Sequence, residues 1–388
     1  MATPSAIDAK WDLRTLTAAS ILSVVLGSVH AFSIFLAPLE ATFAAPRASV
    51  SLTYSLALVS LTAAVLFGHR IYDRWRPGMF VIIIALTAAM GAVIAGLAPS
   101  LTIVWLGYGL LFGGANGLGY GFALQIAAQA NAGREGAAMG IVTAAYALGA
   151  AISPPLFAAA LGFGGHQPAM TGLAAALVLM GGASAALIAS SGVRFQAPSS
   201  AAPARLPPFA SMALLWLGYG AGVAGGLMAI GHAAGIVRAA GDAAADWLAP
   251  VVIAVCNLTG SLIAGRLIDL TPPARLLVGL PLISAAALFA VAATDGFGAT
   301  MFGLGVVGFA YGGVIAAYPA AISKLFGLLP GPRIYGIVFT AWGTAGLAAP
   351  WLAGFLYDLE GAYYTALATA GALGCVSCLA SMLFFLRR

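Results

Sequence analysis

Charge is what this chain has least of. Only 7% of its 388 residues are Asp, Glu, Lys or Arg, while 62% are hydrophobic; an ordinary soluble domain carries about 25% charged residues. A water-soluble protein of this length has nowhere to bury so much apolar surface. That excludes a soluble enzyme, a nucleic-acid binder and a disordered chain. Cysteine is nearly absent too. Cys256, Cys375 and Cys378 lie in apolar runs, with neither metal-ligand nor disulfide spacing. Gly117-Leu-Gly-Tyr-Gly121 has the look of a phosphate loop but sits inside an apolar segment, and no catalytic triad or metal cluster is visible. The expectation is no cofactor, no metal, no catalytic residue and no ATP-driven pump.

What the chain has is long apolar runs. A membrane-crossing helix needs about 20 apolar residues. Twelve such runs are readable, at 15–38, 50–69, 79–98, 101–129, 137–160, 168–191, 209–236, 247–266, 275–293, 297–322, 334–357 and 362–386. The first 14 residues, with Asp8, Lys10, Asp12 and Arg14, read as a polar tail and not as a cleavable leader. The longest polar break, 191–208 (SGVRFQAPSSAAPARLPP), lies near mid-chain and reads as a linker between an N-terminal half, 1–190, and a C-terminal half, 209–388.

Orientation follows from the cations, which collect on the cytoplasmic side. With twelve crossings, fourteen of the sixteen Lys and Arg residues fall on the side of the two chain termini, and only Arg47 and Arg238 fall on the other. Both termini are therefore expected in the cytoplasm. The net charge of +5 is explained by this topology, with no nucleic-acid partner needed. Gly68-His-Arg70-Ile-Tyr-Asp73 follows the second span and Gly265-Arg266-Leu-Ile-Asp269 the eighth. Both contain Arg-x-x-Asp, 196 residues apart, in corresponding loops, as expected of an internal repeat.

Twelve spans, a central linker and paired basic loops resemble the major facilitator superfamily. The resemblance implies an all-α fold of two six-helix halves working by alternating access. It also implies that Arg70, Asp73, Arg266 and Asp269 act on gating. Several segments resemble the monocarboxylate transporter and oxalate/formate exchanger branch. These are Gly27-Ser-Val-His30-Ala-Phe-Ser-Ile-Phe-Leu-Ala-Pro38; Gly113-Gly-Ala-Asn116-Gly-Leu-Gly-Tyr120-Gly; Ala137-Ala-Met-Gly-Ile-Val-Thr143-Ala-Ala-Tyr146-Ala-Leu-Gly149 with Pro154-Pro155; and Tyr335-Gly-Ile-Val-Phe-Thr340-Ala-Trp342-Gly with Tyr357-Asp358. That likeness implies a monomeric carrier of a small organic acid, proton-coupled or by anion exchange. In that branch the eighth helix often carries an arginine for the substrate carboxylate. Here the stretch is Asn257-Leu-Thr-Gly260-Ser261, and Ser261 stands at the arginine position. The substrate is then not a simple carboxylate, or enters protonated, or meets histidines and hydrogen-bond donors instead.

Polar groups inside a span are costly and tend to face the interior. On that ground the candidate substrate contacts are His30, Asn116, Tyr120, His232, Asn257, Ser261, Tyr311 and Trp342. Asn116 and Tyr120 share a helix face, as do Asn257 and Ser261, while Tyr311 and Tyr318 nearly do. His30 and His232 are the candidate proton carriers, because histidine changes charge near neutral pH. Glu40, Asp242, Asp246, Asp295, Asp358 and Glu360 fall at the opposite side from the termini and are expected to be solvated. The alanine-rich, lysine-poor composition suggests a GC-rich genome, and the expected location is a bacterial inner membrane. Rival readings are a carrier or efflux pump for a neutral or amphipathic solute and, outside transport, a membrane receptor or membrane-embedded enzyme.

Overall fold

The computed structural model describes residues 11–68, 70–72, 74–131, 135–195, 207–241, 245–294, 296–326 and 331–387. It contains twelve helices long and apolar enough to cross a membrane. They are α1 (Leu13–Phe43), α2 (Arg47–Gly68), α3 (Pro77–Gly96), α4 (Leu101–Ala130), α5 (Ala138–Gly164) and α6 (His166–Ser191), then α7 (Phe209–Ala239), α8 (Leu248–Ile268), α9 (Pro273–Ala293), α10 (Phe297–Phe326), α11 (Ile334–Glu360) and α12 (Tyr364–Leu386). The count matches the sequence reading, and several ends move outward. The first helix, for instance, runs past Pro38. That proline stands third in the α-helical segment Leu36–Phe43, within the first turn, where a missing N–H costs little. Ala44, in the left-handed region at φ 48°, then stops the helix.

Two helices are irregular. Within α1 the chain tightens to a 3₁₀ winding over Ser28–Phe35, and α4 opens to a π winding over Trp105–Phe112. Such windings displace the backbone hydrogen-bond ladder and often mark functional positions. Large apolar side chains lie on the outside of the bundle: Leu156 is 61% exposed, Leu179 72% and Phe302 77%. In water such a surface would aggregate; in a bilayer it is the lipid face.

The interior packs on small residues. A Cβ on Gly149 would meet the Val24 carbonyl at 1.7 Å, and one on Gly27 the Tyr146 carbonyl at 1.9 Å, so α1 and α5 touch backbone to backbone. The same holds for α8 and α10, where Gly260 abuts the Phe309 carbonyl and Gly312 that of Asn257. In the first six helices α1 packs on α4, α5 and α6, α2 on α4, and α3 on α6; in the last six α7 packs on α10, α11 and α12, α9 on α10 and α12, and α8 on α10. The two sets meet along α2–α11, α5–α8 and α1–α7. Twelve crossings place both chain termini at one end of the bundle, and the α1–α2, α7–α8 and α11–α12 turns at the other, here the distal end.

Candidate functional site

The tightened stretch of α1 carries His30 into a cluster of aromatic side chains. His30 Nδ1 is hydrogen-bonded to the Tyr54 hydroxyl of α2 at 2.7 Å. The imidazole meets the Tyr54 and Tyr146 rings edge-on, at centroid distances of 6.2 and 5.7 Å. Tyr146 lies 4.6 Å from the Tyr120 ring, and Tyr120 shares a 3.2 Å hydrogen bond with Thr143. Tyr146 donates to Asn116 Oδ1 at 2.9 Å, while Asn116 Nδ2 donates to the Leu26 carbonyl at 2.6 Å. Asn116 is thus fully buried and engaged on both sides. It holds the Tyr146 ring against His30, and both its side-chain oxygen and nitrogen have partners within the protein. His30, Tyr120 and Thr143 remain half-buried.

A second aromatic group comes from α7, α10 and α11. Trp342 donates its indole N–H to the Tyr311 hydroxyl at 3.0 Å, and its ring stacks on Phe339 with an interplanar angle of 6°. Tyr335 and Tyr219 approach hydroxyl to hydroxyl at 3.4 Å. Both groups rest on α7: Tyr54 packs at Gly231 and Tyr311 at Gly226. Those glycines are five residues apart, about 7.5 Å of helix rise. His30 is the one imidazole among these side chains.

Ser261 donates to the Gly312 carbonyl at 3.0 Å and lies 3.4 Å from Asn257 Oδ1. The position expected to hold the carboxylate-binding cation is therefore a small hydroxyl tied to the α8–α10 crossing. His232 is not in the central cluster. It is fully buried near the distal end, with Nε2 at 2.8 Å from the Pro350 carbonyl and 3.2 Å from Ser51 Oγ, and Nδ1 at 3.2 Å from the Tyr363 hydroxyl. Both ring nitrogens already have partners, so the structure separates the two histidines that the sequence groups together.

Three of the acidic residues bond to protein groups: Glu40 and Asp246 are withdrawn from solvent, while Asp358 stays exposed, as expected. Glu40 forms an ion pair with Arg47, and Asp246 with Arg238. Asp358 accepts the backbone N–H of Arg47 at 2.8 Å and of Ala48 at 2.7 Å. The reason is local. Two cations stand on the side that has few, and the first N–H groups of α2 have no partner within their own helix. Glu360 accepts a bond from Thr365 at 2.7 Å. In the gating loops Arg70 and Arg266 are exposed. Asp73 and the Asp269 side chain lie outside the described residues, as do Asp242, Asp295 and most of the linker.

Sequence reasoning missed Tyr54, Thr143, Arg47 and Tyr363. A phenol inside an apolar span, as Tyr54 is, needs a polar partner, and that signal was available. The partnership of Arg47 with Tyr363, 316 residues away, was not.

A bundle of twelve apolar helices, packed in two sets that meet along α2–α11 and α5–α8 around an aromatic centre, is the major facilitator fold. Two crystal structures of a bacterial homolog to the human lysosomal transporter Spinster share it, both inward-facing. The occupied form is 15% identical with a TM-score of 0.72, covering 96% of this chain and 95% of that one. The unoccupied form is 14% identical, also at 0.72, covering 96% of each. In sequence the chain is 25% identical over 341 residues to the uncharacterized MFS-type transporter YhjX of Escherichia coli (strain K12), covering 85% of this chain and 84% of that protein. No family model matches the chain. The fold, together with this relative, supports a multi-pass membrane transporter.

Proposed function

We propose that the protein is a secondary transporter of a small organic acid in a bacterial inner membrane, with His30 carrying the coupled proton. Both termini are cytoplasmic in this reading, so the distal end faces outward. The halves 1–190 and 209–388, joined by the 191–208 linker, alternate access as a monomer, and the Arg-x-x-Asp loops set the rate of the exchange.

The observation that carries the reading is the His30–Tyr54 pair among aromatic rings. An ionised carboxylate is costly at mid-membrane without a compensating charge. With Ser261 at the expected arginine position, His30 is the group in the centre able to supply one. Protonated His30 and a bound carboxylate form a neutral pair, so acid and proton move together or an exchanged anion replaces the first. The tyrosine hydroxyls and the Trp342 ring give hydrogen bonds and an apolar wall. A second reading, a neutral or amphipathic solute, is favoured by the aromatic lining itself.

The test is uptake of labelled lactate, formate or oxalate into proteoliposomes with an imposed pH gradient. His30→Gln, which keeps a hydrogen-bonding side chain but cannot take a proton near neutrality, should abolish the gradient's stimulation while leaving counterflow exchange measurable. Equal stimulation in both proteins removes His30 from coupling. Uptake of none of the acids by the parent protein favours the second reading.

A further inference from the structure

We propose that Asp358, with Arg47, is a latch that holds the distal end of the transporter closed. The proposal rests on the alternating-access part of the reading above, and on neither the acid nor His30. Asp358 lies in the last turn of α11. There the helix presents unpaired carbonyls and the negative end of its dipole, so a carboxylate is out of place on its own helix. It is favourable only because the first turn of α2, with the opposite polarity, stands against it. Its two oxygens take the Arg47 and Ala48 N–H groups, across 311 and 310 residues of sequence. Gly354 of α11 permits the approach: a Cβ there would lie 2.9 Å from the Ala48 Cα and 2.8 Å from Ser51 Oγ.

Arg47 completes the fastening from the α2 side. It pairs with Glu40, donates from Nη1 to the Tyr363 hydroxyl at 2.7 Å, and lies over the Tyr357 ring, 3.9 Å from its centroid. Burial pushes the Tyr363 phenol up, against the opposing pull of Arg47, so it stays neutral. One turn further in, His232 bridges Ser51 of α2 and the Pro350 carbonyl of α11. Parting α2 from α11 would free the two N–H groups and leave Asp358 at the negative end of α11. The latch therefore favours the closed distal state and contributes nothing to the open one.

The experiment is the rate of N-ethylmaleimide reaction at a thiol buried under the latch. Ser51→Cys is made in a protein whose three cysteines are serine, and labelling is followed in detergent without substrate. When opening is fast relative to labelling, the rate reports the open population. Asp358→Asn keeps the shape but loses the charge and one acceptor, and should raise the Ser51→Cys rate about tenfold, the factor that corresponds to about 1.4 kcal/mol. Arg47→Lys should move it in the same direction. Two controls should not move: Glu360→Gln, which removes a nearby charge with no bond to α2, and a Ser184→Cys thiol buried between α1 and α6, where Ser184 donates to the Ala18 carbonyl. An unchanged Ser51→Cys rate in both latch variants overturns the proposal. So does a parallel rise at Ser184→Cys, which means general loosening, or an equal effect of Glu360→Gln, which means unspecific charge.

Discussion

Arg47 and Arg238 are the two cations that the topology leaves on the distal side, and each pairs with a carboxylate. A cation against the prevailing charge asymmetry is retained where it bonds, but only its place, not its bonding, was read from the sequence. The carboxylates lie seven and eight residues away, whereas the reach of Arg47 to Asp358 and Tyr363 spans hundreds of residues and is set by how α2, α11 and α12 meet. Ser261 shows the converse. The resemblance singled the position out, but its hydroxyl binds the Gly312 carbonyl at a crossing where Gly260 leaves no room. An arginine there gives up that bond and crowds the crossing, and overpacking of this kind costs about 1–3 kcal/mol. Ser261→Arg should therefore melt several degrees lower than the parent protein. If it melts at the parent temperature and a carboxylate then stabilises it, the position opens into the cavity and the packing account fails.

At the level of helices, hydropathy gave the number and order of the spans, because crossing hydrocarbon demands about 20 apolar residues whatever the fold. It could not give the winding. The 3₁₀ stretch Ser28–Phe35 that turns His30 toward Tyr54 is as apolar as the α-helix around it. Nor did composition say which of the many glycines matter. Gly149 and Gly27 do, because α1 crosses α5 there at backbone contact. Gly149→Leu should push the helices apart, lowering the melting temperature and the folded yield more than Gly172→Leu, a glycine with open space beside it. Equal losses at the two positions would mean that the α1–α5 crossing tolerates separation. Asn116 belongs to this scale too: as a polar residue in a span it was legible, but its task of holding Tyr146 is a property of three helices meeting.

For the molecule as a whole, the distal fastening and the central histidine divide the labour of a coupled carrier in the proposed reading. One sets which side is open, and the other sets what must be aboard. The described ends of the chain, the helix ends Ser191 and Phe209 that flank the linker, and Arg70 and Arg266 lie at the other end of the bundle. Charge asymmetry made that arrangement visible in the sequence; the contacts that bias it toward one state became visible only in three dimensions.

The most direct test of the central claim is proton movement itself. Proteoliposomes loaded with pyranine at internal pH 7.5 are given formate, lactate or oxalate from outside at pH 6, alongside protein-free liposomes that report passive entry of the neutral acids. The account predicts that at least one acid acidifies the lumen faster through the parent protein than through bare lipid. It also predicts that His30→Gln falls to the bare-lipid rate. Acidification no faster than bare lipid for every acid, or a His30→Gln protein as fast as the parent, would contradict it.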